Sequence, residues 1–60
     1  MNEDERLRLL DRLVQLDEEI MKATAAATWP ANKTDFESAM REVRMLRAEQ
    51  AKIQAKLDAE

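Results

Sequence analysis

The chain has 60 residues, of which 45% are hydrophobic and 38% charged, and it contains no Gly, no His, no Cys and a single Pro. This length accommodates one small domain at most, close to the lower limit for independent stability. Without Cys or His, the sequence excludes disulfides, the usual zinc sites and the commonest general base of enzymes. The net charge of −3 also argues against a broad nucleic-acid-binding surface, which is normally basic.

The distribution of apolar residues is that of a soluble protein. No apolar run approaches the roughly 20 residues that a helix needs to span a bilayer. The first five residues include three carboxylates and lead into no apolar core, the reverse of a secretory signal. We therefore expect a cytoplasmic protein, and the abundance of Ala, Leu, Glu, Arg, Lys and Met without Gly is typical of helices.

A first helix is predicted over about residues 5–28. Its apolar residues recur at spacings of 4, 3, 4, 3 and 4, a heptad-like seam typical of helices packed lengthwise. Pro30 disfavours a helical conformation at Trp29 and ends this helix, which predicts a loop over residues 29–33. The seam consists of Leu9, Leu13, Leu16, Ile20, Ala23 and Ala27.

A second helix is predicted over about residues 35–59. Thr34 is its predicted N-cap, because Thr34-Asp35-Phe36-Glu37 has the capping-box form in which the Glu side chain bonds back to the cap. A second seam follows with spacings of 3, 4, 3, 4, 3 and 4. It consists of Phe36, Ala39, Val43, Leu46, Gln50, Ile53 and Leu57.

Two helices of similar length joined by a short loop favour an antiparallel hairpin. The predicted fold is therefore all-α, with residues 1–60 as a single domain. Positions whose numbers add to about 62–63 lie at the same level of such a hairpin, given its equal rise per residue in both helices. This level rule places Leu16 opposite Leu46. We expect the hairpin to self-associate into a four-helix bundle or a larger oligomer.

The first helix carries a second apolar row beside its seam, and the two together span roughly 180° of its circumference. The second helix, whose apolar stripe is only about 100° wide, does not cover so broad a face. We therefore predict an oligomer interface on this row, the alternative being that the row is half-buried beside the second helix. The row consists of Leu7, Leu10, Val14 and Met21.

Two polar residues, Asp17 and Gln50, interrupt the apolar faces. The level rule places Asp17 near Leu46, within reach of Arg44 or Arg47. An ion pair at this position is either an edge contact that contributes ~0–1 kcal/mol or a contact that specifies the register or the partner.

Residues suited to chemistry are few. Ser38 is the only Ser and has no His or paired Lys beside it. Glu18 and Glu19 point about 100° apart on a helix and do not chelate one ion together. A Gly-rich phosphate loop requires Gly, which is absent. We expect no catalytic residue, no cofactor and no metal, and therefore a protein that is not an enzyme.

Two further groups of residues are candidates for contacts with other molecules. Basic residues on the second helix form either a solvated face or a phosphate-contacting stripe: Arg41, Arg44, Lys52 and Lys56. Three large apolar residues are candidate partner contacts: Trp29, Phe36 and Met45. Because Trp29 and Phe36 bracket the turn, we interpret them first as a plug that closes the loop end, and otherwise as an exposed contact for a partner.

Several short runs lie in a familiar order: Thr28-Trp29, Lys33 in a polar turn, Thr34-Asp35-Phe36, Ser38 and Leu46-Arg47-Ala48-Glu49. Residues 27–49 thereby resemble the small head-to-tail joining proteins of tailed phages. The resemblance implies a short β-hairpin between two helices and a role as a non-enzymatic ring adaptor between portal and tail, in the virion. The helix-forming run Ala25-Ala26-Ala27 and the missing Gly favour a helix–loop over residues 24–36 instead, so both forms stay open.

We therefore predict a non-enzymatic protein–protein interaction or structural adaptor subunit that acts as a homo-oligomer and is phage-derived if the resemblance holds. Its expected partners are other copies of itself and another protein. One alternative is an RNA-binding regulator that forms a hairpin dimer and uses the basic residues of the second helix. Another is a small inhibitor that docks on a host protein.

Overall fold

The computed structural model describes residues 2–59, which form two α-helices joined by a short loop. Helix α1 covers Glu3–Thr28 and helix α2 covers Lys33–Asp58. Each helix has 26 residues and is therefore about 39 Å long. The molecule measures 45 × 15 × 11 Å, which accommodates the two helices only side by side. The predicted all-α hairpin is thus confirmed. The predicted single domain also includes residues 1 and 60, which lie outside the described range.

Helix α1 begins two residues earlier than predicted, because Asn2 caps it. The Asn2 side chain accepts a hydrogen bond of 2.8 Å from the backbone N–H of Glu5. Three acidic residues occupy the first turn, where they complement the positive end of the helix dipole. The helix therefore incorporates the acidic segment that precedes the apolar seam.

The predicted cap of α2 is wrong. Asn32, not Thr34, has the extended backbone of an N-cap, and its side chain accepts a hydrogen bond of 2.9 Å from the backbone N–H of Asp35. Asn is at least as good an N-cap as Thr, because its short side-chain oxygen reaches the same orphan donors. Helix α2 consequently starts at Lys33, two residues before the predicted start, and takes Thr34 and Glu37 into its first two turns.

The segment 24–36 forms the end of α1, a loop and the start of α2. The short β-hairpin implied by the phage resemblance is therefore absent from this segment, and the helix–loop form is present. Backbone N–H of Trp29 donates to the carbonyl of Ala25, which continues the helical hydrogen bonding as far as Pro30 permits.

The core lies along the two predicted seams. Leu16 is fully buried, and the other buried residues are small or β-branched: Ala23, Ala39, Val43 and Ile53. The remaining seam residues are half-buried, with Phe36 as the exception. A core containing two Ala among five buried residues is small, and the radius of gyration of 13.9 Å exceeds the value of about 10 Å typical of a compact 60-residue domain.

Candidate protein-interaction surface

The second apolar row of α1 is exposed along its whole length. Its side chains retain between 43% and 71% of their accessible surface, the least at Leu10 and the most at Met21. Helix α2 does not cover them, so the alternative in which the row is half-buried beside α2 is wrong. Exposed large apolar side chains that recur along one face, rather than singly, indicate a surface that binds another macromolecule.

A polar contact that the sequence analysis did not anticipate joins the helices on one side. Arg12 donates two hydrogen bonds to the Glu49 carboxylate, from Nε at 2.6 Å and from Nη2 at 3.2 Å. Arg12 also lies 3.9 Å from the carboxylate of Glu19. The residue numbers 12 and 49 add to nearly the 62–63 of the level rule. The level rule was therefore the feature of the sequence from which this contact could have been predicted.

The electrostatics of this pair follow from the forked contact. The hydrogen bond from Arg12 holds the pKa of Glu49 below its ordinary value, and partial desolvation opposes this effect. The hydrogen bond to Glu49 raises the pKa of Arg12 in turn. Both groups are therefore charged at neutral pH, and the pair closes this side of the hairpin with charged side chains.

The two polar residues that interrupt the apolar faces bond to each other. The side-chain amide of Gln50 donates a hydrogen bond of 2.8 Å to Asp17 Oδ1. The predicted partners of Asp17, Arg44 or Arg47, are therefore wrong. Gln50 lies at the centre of the α2 seam, which faces α1, so its amide reaches Asp17 directly across the helix interface.

These two contacts lie on opposite faces of the hairpin. Arg12 and Asp17 are five positions apart on α1, which separates them by about 140° around the helix axis. The Arg12–Glu49 pair therefore marks one face, and the Asp17–Gln50 hydrogen bond marks the other. We call the second one the open face. It carries Leu10, Val14, Asp17 and Met21 from α1 and Phe36, Met40, Arg47 and Gln50 from α2.

The other candidate partner contacts are exposed at separate places. Trp29 retains 81% of its surface, so its interpretation as a plug at the loop end is wrong. The loop closes through its backbone and the Asn32 cap instead, which leaves the indole outside. Phe36 borders the open face together with Met40, and Met45 lies on the outer side of α2.

The four basic residues proposed for phosphate contact are all exposed on α2. Arg41 and Arg44 lie beside Glu37, whereas Lys56 lies near Glu5 and Arg8 of α1. Acidic side chains therefore accompany the basic ones at both ends of the stripe. The arrangement is closer to a solvated mixed-charge surface than to a continuous positive patch.

The described residues hold no group of His, Cys, Asp and Glu placed to bind a metal ion. Within residues 2–59, neither helix combines the length and apolarity required to cross a membrane. No protein-family model, no curated protein and no solved structure matches this chain.

Proposed function

We propose that this chain is a non-enzymatic protein-interaction or structural adaptor subunit that works as a homo-oligomer. The observation that supports this most directly is the exposed row of Leu7, Leu10, Val14 and Met21 on a hairpin that buries few large side chains. A chain with so small a core gains stability by covering such a row with another protein surface.

The resemblance to phage joining proteins supplies a more specific form of the proposal, in which the oligomer is an adaptor within a virion. This form depends on the short runs within residues 27–49, and it does not require a β-hairpin. A cytoplasmic interaction module is the general form. Both forms use the same exposed row for association between copies.

An RNA-binding role for the basic stripe is less favoured than protein binding. The net charge of −3 repels the nucleic-acid backbone, and acidic side chains accompany Arg41 and Lys56. Binding to phosphates gains most of its affinity from an uninterrupted excess of positive charge. The apolar row, by contrast, has no counterpart in recognition of a phosphate backbone.

Substitutions on the row test the proposal. Leu10→Glu and Val14→Glu each place a charge where an apolar contact is proposed, so we expect the dissociation constant of the oligomer to rise at least tenfold. Both side chains are exposed in the single hairpin, so the helical content of the chain is expected to persist. Sedimentation equilibrium measures the oligomeric state, and circular dichroism measures the helical content.

Met45→Glu is the matched control, since Met45 is similarly exposed at 68% but lies on the outer side of α2. We expect it to leave association unchanged. Equal effects of all three substitutions would place the interface elsewhere. A well-folded monomer of the unaltered chain at micromolar concentration would contradict the proposal itself.

A further inference from the structure

We propose that two copies of this chain pack through their open faces, with α1 of each copy along α2 of the other and both loops at the same end. This inference rests on the proposed function, because it specifies how the copies associate. The molecule proposed to cover the open face is a second copy of the chain.

The accessible surface area of the chain supports a binding partner of the size of a second copy. The chain exposes 4822 Å², whereas a compact monomer of its 7.0 kDa mass exposes about 4,000 Å². The excess of about 800 Å² matches the area that each partner contributes to a standard stable interface. One further hairpin, laid lengthwise, has the dimensions to cover it.

The open face has a polar band between two apolar ends. Leu10 and Val14 lie toward the chain termini, Met21 and Met40 lie toward the loop, and the Asp17–Gln50 hydrogen bond lies between them. An interface between identical copies is self-complementary under a two-fold rotation. Polar band then meets polar band, so the Asp17–Gln50 contacts of the two copies lie beside each other.

Two two-fold arrangements satisfy this matching, and charge distinguishes them. Within its bounds α1 has four basic and seven acidic residues, a net charge of −3, whereas α2 has six basic and five acidic, a net charge of +1. A two-fold axis that runs across the hairpin, perpendicular to its helices, places α1 of one copy against α1 of the other. An axis along the hairpin places α1 against α2 of the other copy, which brings opposite net charges together.

The polar band supplies a specific contact in the favoured arrangement. The level rule places Asp17 opposite Leu46, and Arg47 is the next residue on α2, so Arg47 lies close to the level of Asp17. An axis along the hairpin preserves this level in both copies. Arg47 therefore faces the partner subunit's Asp17, whereas the alternative axis places the two Asp17 carboxylates against each other.

A distance measurement between the two loops tests the arrangement. The chain has no Cys, so Ala31→Cys, in the exposed loop, provides a single attachment point for a spin label. With both loops at one end, pulsed electron paramagnetic resonance is expected to give a distance below about 30 Å, since neighbouring helices are about 8–10 Å apart. With the loops at opposite ends, the distance is near the molecular length of 45 Å.

Charge reversal tests the contact itself. Arg47→Glu is expected to raise the dimer dissociation constant at least tenfold, and adding Asp17→Lys is expected to restore most of the affinity. Lys52→Glu makes the same charge change near Glu49, on the face opposite the open face, and is expected to leave the affinity unchanged. Circular dichroism confirms that each variant keeps its helices.

The outcomes separate this inference from the proposed function. A dimer whose labels are about as far apart as the molecule is long, 45 Å, overturns the arrangement and leaves self-association in place. A dimer whose affinity is unchanged by Arg47→Glu also overturns it. A monomer at micromolar concentration overturns both this inference and the homo-oligomer.

Discussion

Arg12 and Glu49 join the two helices through a forked, charge-assisted contact. Arginine presents its donors in a rigid fork that matches a carboxylate, so the pair restricts the relative position of the helices more than a Lys contact would. Both side chains are more than a third exposed, and solvent screening therefore keeps its contribution to stability small. Its main physical consequence is a dependence of stability on pH.

The pKa of Glu49 predicts the direction of that dependence. Because the pKa is lower in the folded than in the unfolded chain, the contact stabilises the fold above the ordinary Glu pKa of 4.5 and is lost as the pH falls below it. We expect Glu49→Gln to lower the melting temperature slightly at neutral pH and to have no such effect in strong acid. Thermal melts across acidic and neutral pH measure the difference from the unaltered chain.

Glu42→Gln is the control for this prediction. It removes one carboxylate two turns earlier on the same helix, at an exposed position. The difference in melting temperature between Glu42→Gln and the unaltered chain is expected to vary less with pH. A Glu49→Gln difference that stayed constant from neutral to acidic pH would show that the contact contributes nothing through ionisation.

At the scale of helices, the caps determine where each element begins. Asn2 and Asn32 both have extended backbones and both accept a hydrogen bond from the residue three positions later. Each cap satisfies one of the donors that the first turn of a helix leaves unpaired. In α2 the cap follows Pro30 by two residues, so it also sets the length of the loop.

Removal of the α2 N-cap is expected to lower the free energy of unfolding. Asn32→Ala leaves the backbone N–H of Asp35 without its side-chain acceptor, and we expect a loss of about 1 kcal/mol in the free energy of unfolding. Thr34→Ala is the matched comparison, since Thr34 lies inside the first turn, where Ala is the better helix former. We expect it to be neutral or slightly stabilising. Urea denaturation measures both; a larger loss for Thr34→Ala would indicate the capping box instead.

The whole molecule is long, thin and poorly filled. A two-helix hairpin buries one stripe of each helix, and here that leaves Leu16 as the only large side chain among the described residues with no exposed surface. Large apolar side chains remain exposed on the open face, among them Leu10, Val14 and Met21. Association between copies would therefore supply burial that a single hairpin of this length does not supply.

Coupling between folding and association predicts a melting temperature that depends on protein concentration. Each tenfold increase in concentration favours a folded dimer by about 1.4 kcal/mol. For two 60-residue chains this corresponds to an increase of about 10 °C over a hundredfold range of concentration. Thermal melts followed by circular dichroism test this, and a melting temperature independent of concentration would mean that the hairpin folds alone.

Sequence periodicity predicted most of the fold and the exposed row, but not the polar contacts. The seam from Leu9 to Ala27 and the interruption at Pro30 are patterns within one segment, so they can be recognised without knowing the partner helix. The contacts Arg12–Glu49 and Asp17–Gln50 depend on the rotation and axial offset of two helices. A shift of one residue along an axis changes which long side chains meet.

The sequence by itself determined two helices, one short break and an apolar face too wide for the partner helix to cover. These follow from the 3.6-residue period, the fixed φ of proline and the composition, all of which act locally. The structure also decided between two local candidates for the α2 cap, Asn32 and Thr34, in favour of Asn32. Only the tertiary structure decided that Trp29 stays exposed and that Gln50 bonds to Asp17. Both depend on where the second helix lies relative to the first, because burial and this hydrogen bond require specific distances between atoms far apart in the chain.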